Sequence, residues 1–145
     1  YASSTDGKWP EPVFWPRTRG WDRYMVAFPM VVQDGGVYRM WYSGGPGVCN
    51  AIGHAVSADG INWARQPLWE PVLPRGVPGE WDAPCIFSPR VVLEGDTAQM
   101  WYDGISAQDD FAIGYATAPL PFPEPWLFAD DFESGDTSTW SATVP

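Results

Sequence analysis

Basic residues are scarce: eight Lys and Arg stand against 18 Asp and Glu, a formal net charge of −10 over 145 residues. No Lys/Arg cluster interrupts that imbalance. A surface that binds nucleic acid or an anionic bilayer needs the opposite sign, so neither is expected as a partner. No apolar run approaches the ~18 residues of a membrane-spanning helix, and no stretch carries the apolar period of an amphipathic helix. Cysteine occurs only twice, which allows at most one disulfide and is compatible with export. What is abundant is aromatic and turn-forming. Ten Trp residues are too many for a disordered chain, and 16 Pro with 15 Gly break the sequence into short segments suited to strands. With this acidic, Trp-rich composition, a start at Tyr1 leads us to expect a processed, secreted chain of the extracellular space or cell surface.

Met40-Trp41-Tyr42-Ser43-Gly44 returns as Met100-Trp101-Tyr102-Asp103-Gly104, sixty positions on. At the same offset Trp21-Asp22 matches Trp81-Asp82, and Pro29-Met30-Val31-Val32 matches Pro89-Arg90-Val91-Val92. Pro12-Val13 matches Pro71-Val72 at 59, and Ile52-Gly53-His54-Ala55 matches Ile113-Gly114-Tyr115-Ala116 at 61. The offset drifts only where loops absorb insertions. A fixed period of this length marks a tandem structural repeat. Residues 12–70 form the first unit and 71–118 a second, incomplete one, with an N-terminal extension at 1–11, a Pro-rich linker at 119–125 and a C-terminal tail at 126–145.

Each unit divides into short strands separated by turns. In the first, the strands are 26–32, 37–42, 51–57 and 61–65, with the hairpin signal Gln33-Asp34-Gly35-Gly36 between the first two. The second copies three of them, at 86–93, 97–102 and 111–118. Four antiparallel strands per repeat describe a β-propeller blade. The expected fold is therefore all-β, about two four-stranded antiparallel blades plus an extended C-terminal strand segment. In place of its fourth strand the second unit runs into Pro119-Leu120-Pro121. Yet Ser134-Gly135-Asp136-Thr137-Ser138-Thr139-Trp140 repeats the spacing of Ser57-Ala58-Asp59-Gly60-Ile61-Asn62-Trp63. In that phrase Asp bonds turn amides and Trp packs under the sheet.

This succession of phrases resembles the blades of the five-bladed propeller glycosidase superfamily, which includes arabinanases, xylosidases, invertase-like enzymes and mannoside phosphorylases. The tail resembles the Phe-Glu-Ser-Gly-Asp-Thr-Ser-x-Trp-Ser ending of many secreted bacterial proteins. The superfamily places the first strand innermost. That implies an axial face collecting Trp21, Asp22, Arg23, Trp81, Asp82 and the loops beginning at Ser43 and Asp103. Those residues, with Asp103, are the candidate carbohydrate contacts. Trp21 and Trp81 are either sugar platforms or strand packing.

Asp22 and Asp82 are the candidate catalytic carboxylates, because glycosidases of the superfamily work with paired acids. The alternative use of Trp-Asp is a loop clamp in which Asp caps backbone amides. No Glu has a matching acid position, Glu80 and Glu124 included. His54 is expected in a surface or packing role. Asp109-Asp110 and Asp130-Asp131 lack EF-hand spacing, so no metal or cofactor is expected. Cys49 and Cys85 fall on the same face of neighbouring blades and are the expected disulfide.

Propellers close with about 4–8 blades, and this chain supplies little more than two. Open blade faces and strand edges need covering. The sequence therefore favours a secreted, non-catalytic, self-assembling structural or adhesive module with carbohydrate affinity, its partners being other copies and extracellular glycans. Phe128, Phe132, Asp136 and Trp140 are the expected assembly residues, with the tail adding as a strand, preferentially on another copy. The alternative is a glycoside hydrolase- or phosphorylase-like enzyme, or a fragment of one.

Overall fold

A computed structural model describes residues 11–47, 50–119 and 141–142. Within them the chain is all-β: β1 (Met25–Asp34), β2 (Val37–Gly45), β3 (Ala51–Ser57), β4 (Ala64–Arg65), β5 (Leu73–Pro74), β6 (Cys85–Glu94), β7 (Thr97–Ile105), β8 (Phe111–Pro119) and β9 (Ser141–Ala142). One sheet has the order β1-β2-β3-β4, with β5 also on β3; the other is β6-β7-β8-β9. Every strand neighbour is antiparallel. These are two propeller-type blades.

Local chemistry accounts for the elements. Gly35 and Gly36 both take left-handed φ values, 56° and 86°, as a tight two-residue hairpin between β1 and β2 requires. Both first strands are bulged. The register slips between Ala27 and Met30 and again between Phe87 and Arg90. Phe28 and Ser88, each followed by a proline, sit there at φ 50° and 57°. Proline has no N–H for the ladder, so the strand kinks around it.

The fourth strand is shorter than expected because the turn before it takes the residues. Ser57 Oγ accepts from the Asp59 and Gly60 amides, and Asp59 Oδ1 accepts from the Ile61 and Asn62 amides at 2.8 and 2.7 Å. Trp63 donates its indole N–H to the Gly60 carbonyl and packs against the core.

Two findings change the repeat as read from sequence. First, Leu73–Pro74 opens the second sequence repeat but pairs with β3 of the first sheet, Ile52 opposite Leu73. Sequence repeat and sheet are out of phase, and 71–74 is a strap from one blade to the next. Second, β9 pairs with β8 of its own chain, Ala116 opposite Ala142 and Thr117 opposite Ser141. The same rungs in the first blade are Ala55–Arg65 and Val56–Ala64. Residues 141–142 thus add a fourth strand to the blade of their own chain, the sequence having favoured another copy. Phe128, Phe132, Asp136 and Trp140 lie outside the described residues.

The core is chiefly the seam between sheets, where Trp41, Ile52, Val72 and Leu73 meet Ile86, Val91, Met100 and Tyr102. A second cluster joins Met40, Tyr42 and Ala55 to Phe14, Trp21 and Trp63. Fully burying one such side chain contributes ~1.5–3 kcal/mol.

His54 takes the packing role. It is buried on β3 with its ring 4.9 Å from that of Trp41. Burial first, and then the Arg39 cation, lower its pKa from 6.5 to about 3. The folded state holds neutral imidazole, whereas the unfolded chain takes up a proton below its ordinary pKa. Stability from this group is complete above that value and declines as pH falls toward the folded one. We expect His54→Gln, which does not titrate, to flatten the fall of unfolding free energy between pH ~6.5 and ~4 in urea titrations. An unchanged slope would assign the decline elsewhere.

Candidate functional site

Trp21-Asp22 and Trp81-Asp82 stand just ahead of β1 and β6. The Trp21 ring lies against Gly44, where a Cβ would come within 2.7 Å of it, and Trp81 lies the same way on Gly104 at 2.5 Å. Only glycine permits that approach. Trp21 stacks on Tyr42 with centroids 5.8 Å apart and Trp81 on Tyr102 at 6.1 Å, both pairs within 20° of parallel. The tyrosine rings in turn cover Gly53 and Gly114.

Beneath each tryptophan the carboxylate is held. Tyr42 donates its hydroxyl to Asp22 Oδ2 at 3.0 Å and Tyr102 to Asp82 Oδ2 at 2.8 Å. Burial, followed by the neighbouring Asp, pushes both tyrosine pKa values well above the ordinary range. Asp22 is wholly buried and also accepts from Arg65 Nε at 2.6 Å. Arg65 continues to the Trp15 carbonyl and lies 4.0 Å over the Phe14 ring. Among the described residues Asp82 has no such partner, since Ala142 holds the rung of Arg65. The clamp expected of Trp-Asp is present, but it closes on a tyrosine hydroxyl twenty residues away instead of on local amides.

The other candidates disperse. Arg23 is exposed, 4.5 Å over the Tyr24 ring. Asp103 lies opposite Phe87 on β7 and lines a cavity of about 90 Å³ with Ser88, Arg90, Trp101, Tyr102 and Ile113. Glu80 Oε2 accepts from the Val77 amide at 2.8 Å and, with Asp82, abuts Gly76. Asp109 and Asp110 close a turn on Ser106. Cys85 is buried and disulfide-bonded. Cys49, its expected partner, lies outside the described residues. Among the described residues no three His, Cys, Asp or Glu gather to hold a metal.

One group escaped the sequence reading. Phe28 of β1 reaches Phe87 of β6, centroids 5.9 Å apart, across the heads of the two first strands. Tyr24, exposed beside Arg23, stands just before β1. None of these recurs: Tyr24 aligns with Pro84, Phe28 with Ser88, and Phe87 with Ala27. The available signal was departure from the repeat, while attention to the period selects what is shared.

No family model matches the chain. The uncharacterised protein Rv1502 of Mycobacterium tuberculosis (strain ATCC 25618 / H37Rv) is 32% identical over 88 residues, 56% of this chain and 28% of that protein. Among solved structures, Zg3597, a family 117 glycoside hydrolase produced by the marine bacterium Zobellia galactanivorans, aligns with a TM-score of 0.62 and 16% identity over 88% of this chain and 34% of its own. An exo-1,5-α-L-arabinanase from a bovine ruminal metagenomic library aligns at 0.52 and 20% identity, over 81% of this chain and 35% of its own. The fold is thus that of the β-propeller glycoside hydrolases. The chain spans 28% of the curated relative and about a third of the two structures it matches.

The clamps make a graded prediction. Asp22→Ala strips a half-buried arginine and a buried tyrosine of their partner and is expected to cost ~3–5 kcal/mol. Asp82→Ala, which strips only a tyrosine, should cost ~1–3 kcal/mol. Urea unfolding of the two variants checks both the magnitudes and their order.

Proposed function

We propose that the chain supplies two adjacent blades of a carbohydrate-handling propeller and contributes sugar contacts, without furnishing the catalytic carboxylate pair. The observation that carries this reading is a pair of aromatic groups at the head of the first strands: the exposed Tyr24 under Arg23, and Phe28 against Phe87. Aromatic faces suit the apolar face of a sugar ring, and a neighbouring guanidinium suits its hydroxyls. A net charge of −10 disfavours acidic glycans, so the ligand class is neutral oligosaccharide. Glycoside hydrolysis needs two carboxylates flanking one bond, ~5–5.5 Å or ~6.5–9.5 Å apart. The engagement of Asp22 and Asp82 with tyrosines of separate blades supports a structural use for both. The disulfide at Cys85 supports an exported location.

α-1,5-Linked arabino-oligosaccharide, the substrate class named for one structural neighbour, is the probe. Calorimetric titration is expected to show saturable binding without release of reducing ends. Tyr24→Ala and Phe87→Ala should each weaken it about tenfold, equivalent to ~1.4 kcal/mol. Undiminished binding by both variants, or hydrolysis abolished in Asp22→Asn, would overturn the reading.

A further inference from the structure

The two blades meet through unlike faces. Alternation along β2 sends Arg39, Trp41 and Ser43 to one side and Met40, Tyr42 and Gly44 to the other. The Trp41 side, here the trailing face, packs onto the leading face of the next blade, which presents Ile86, Val91 and Met100. At that seam Trp41 and Ile52 are 0% exposed and Val91 2%. Their counterparts on the two outward faces are open. Trp101 and Ile113, on the trailing face of the second blade, are 39% and 66% exposed, and Val31, on the leading face of the first, is 45% exposed.

Two further parts of the seam also recur at the outward faces. The strap Val72–Leu73 runs along β3 and is buried between the blades. Its sequence counterpart, Val13-Phe14, lies on the first blade's leading side, with the Phe14 and Tyr42 ring centroids 4.8 Å apart, edge to face, and Val13 exposed. The seam is pinned by Ser43 Oγ, which accepts the backbone N–H of Ser88 at 2.8 Å, at the bulge of β6. Asp103 stands at the position of Ser43. Phe28, in the same left-handed bulge, stands at that of Ser88.

We propose that these outward faces are mates, and that a second copy of this chain docks the leading face of its first blade onto the trailing face of the second blade. The contact repeats the internal seam position for position, with the substitutions already named. Asp103 accepts the backbone N–H of Phe28 of the second copy. The segment around Val13-Phe14 of that copy lies along β8 beside Ile113, as Leu73 lies beside Ile52. A carboxylate is a stronger acceptor than the serine hydroxyl it replaces. The two faces differ, so the contact is heterologous and propagates into a ring or an open array. A third blade carried by another protein would fit the same chemistry, and association of the purified chain with itself distinguishes the two.

Sedimentation velocity of the purified chain tests this. Association heavier than monomer is expected, rising with concentration. Val31→Asp on the leading face and Ile113→Asp on the trailing face should each abolish it, with circular dichroism unchanged. An equimolar mixture of the two variants should restore a one-to-one dimer, because each keeps the face the other lacks. Monomers of the unmodified chain at ~100 µM, far above the micromolar range of standard interfaces, would overturn the proposal. So would loss in Ile113→Asp alone, which marks a face-to-face dimer, or persistence in both variants. Sugar binding is measured on the monomeric variants, so failure of either proposal leaves the other readable.

Discussion

A tryptophan lying flat on a glycine, with the adjoining carboxylate locked to a tyrosine hydroxyl, fixes where each blade begins. Burying a carboxylate is costly unless hydrogen bonds replace its water. Asp22 offsets that cost at Oδ2, through Tyr42 and Arg65, and Asp82 at its Oδ2 through Tyr102. The tyrosine comes from the second strand and the glycine beneath its ring from the third, so one contact network joins those two strands to the loop before the first. Trp-Asp, Met-Trp-Tyr-x-Gly and Ile-Gly-x-Ala are three parts of that network, written in chain order.

The same five-residue phrase serves both sides of the sheet. In β2, Met40 and Tyr42 close the clamp on one face while Trp41 fills the seam on the other. The blades are therefore polar objects, each with a clamp side and a tryptophan side, and stack in one direction only. The strap Leu73–Pro74 enforces that order by belonging to one repeat in sequence and to the preceding sheet in space. Where the repeats differ, surroundings differ with them: Trp41 is sealed by the next blade and Trp101 is not.

Strand positions and the Gly35-Gly36 hairpin were legible because each depends on a few adjacent residues. The bulges at Phe28-Pro29 and Ser88-Pro89 carried a local signal in their prolines, since proline inside a strand marks an edge or a bulge. The strap was not legible, because a period identifies which segments correspond and is silent on which sheet accepts them. Nor was the partner of Asp22 or Asp82, each twenty residues from its tyrosine in sequence. Tyr24, Phe28 and Phe87 were hidden by the repeat itself, because none of the three has an aromatic counterpart.

That the Trp-Asp carboxylates are structural is the claim on which both the fold and the functional reading rest. A double-mutant cycle of Asp22→Asn and Tyr42→Phe, measured by urea unfolding and repeated for Asp82 and Tyr102, tests it most directly. A coupling free energy of ~1–3 kcal/mol in each cycle is the predicted result. Effects that add within ~0.5 kcal/mol would contradict it, by showing that the carboxylate and the tyrosine act independently.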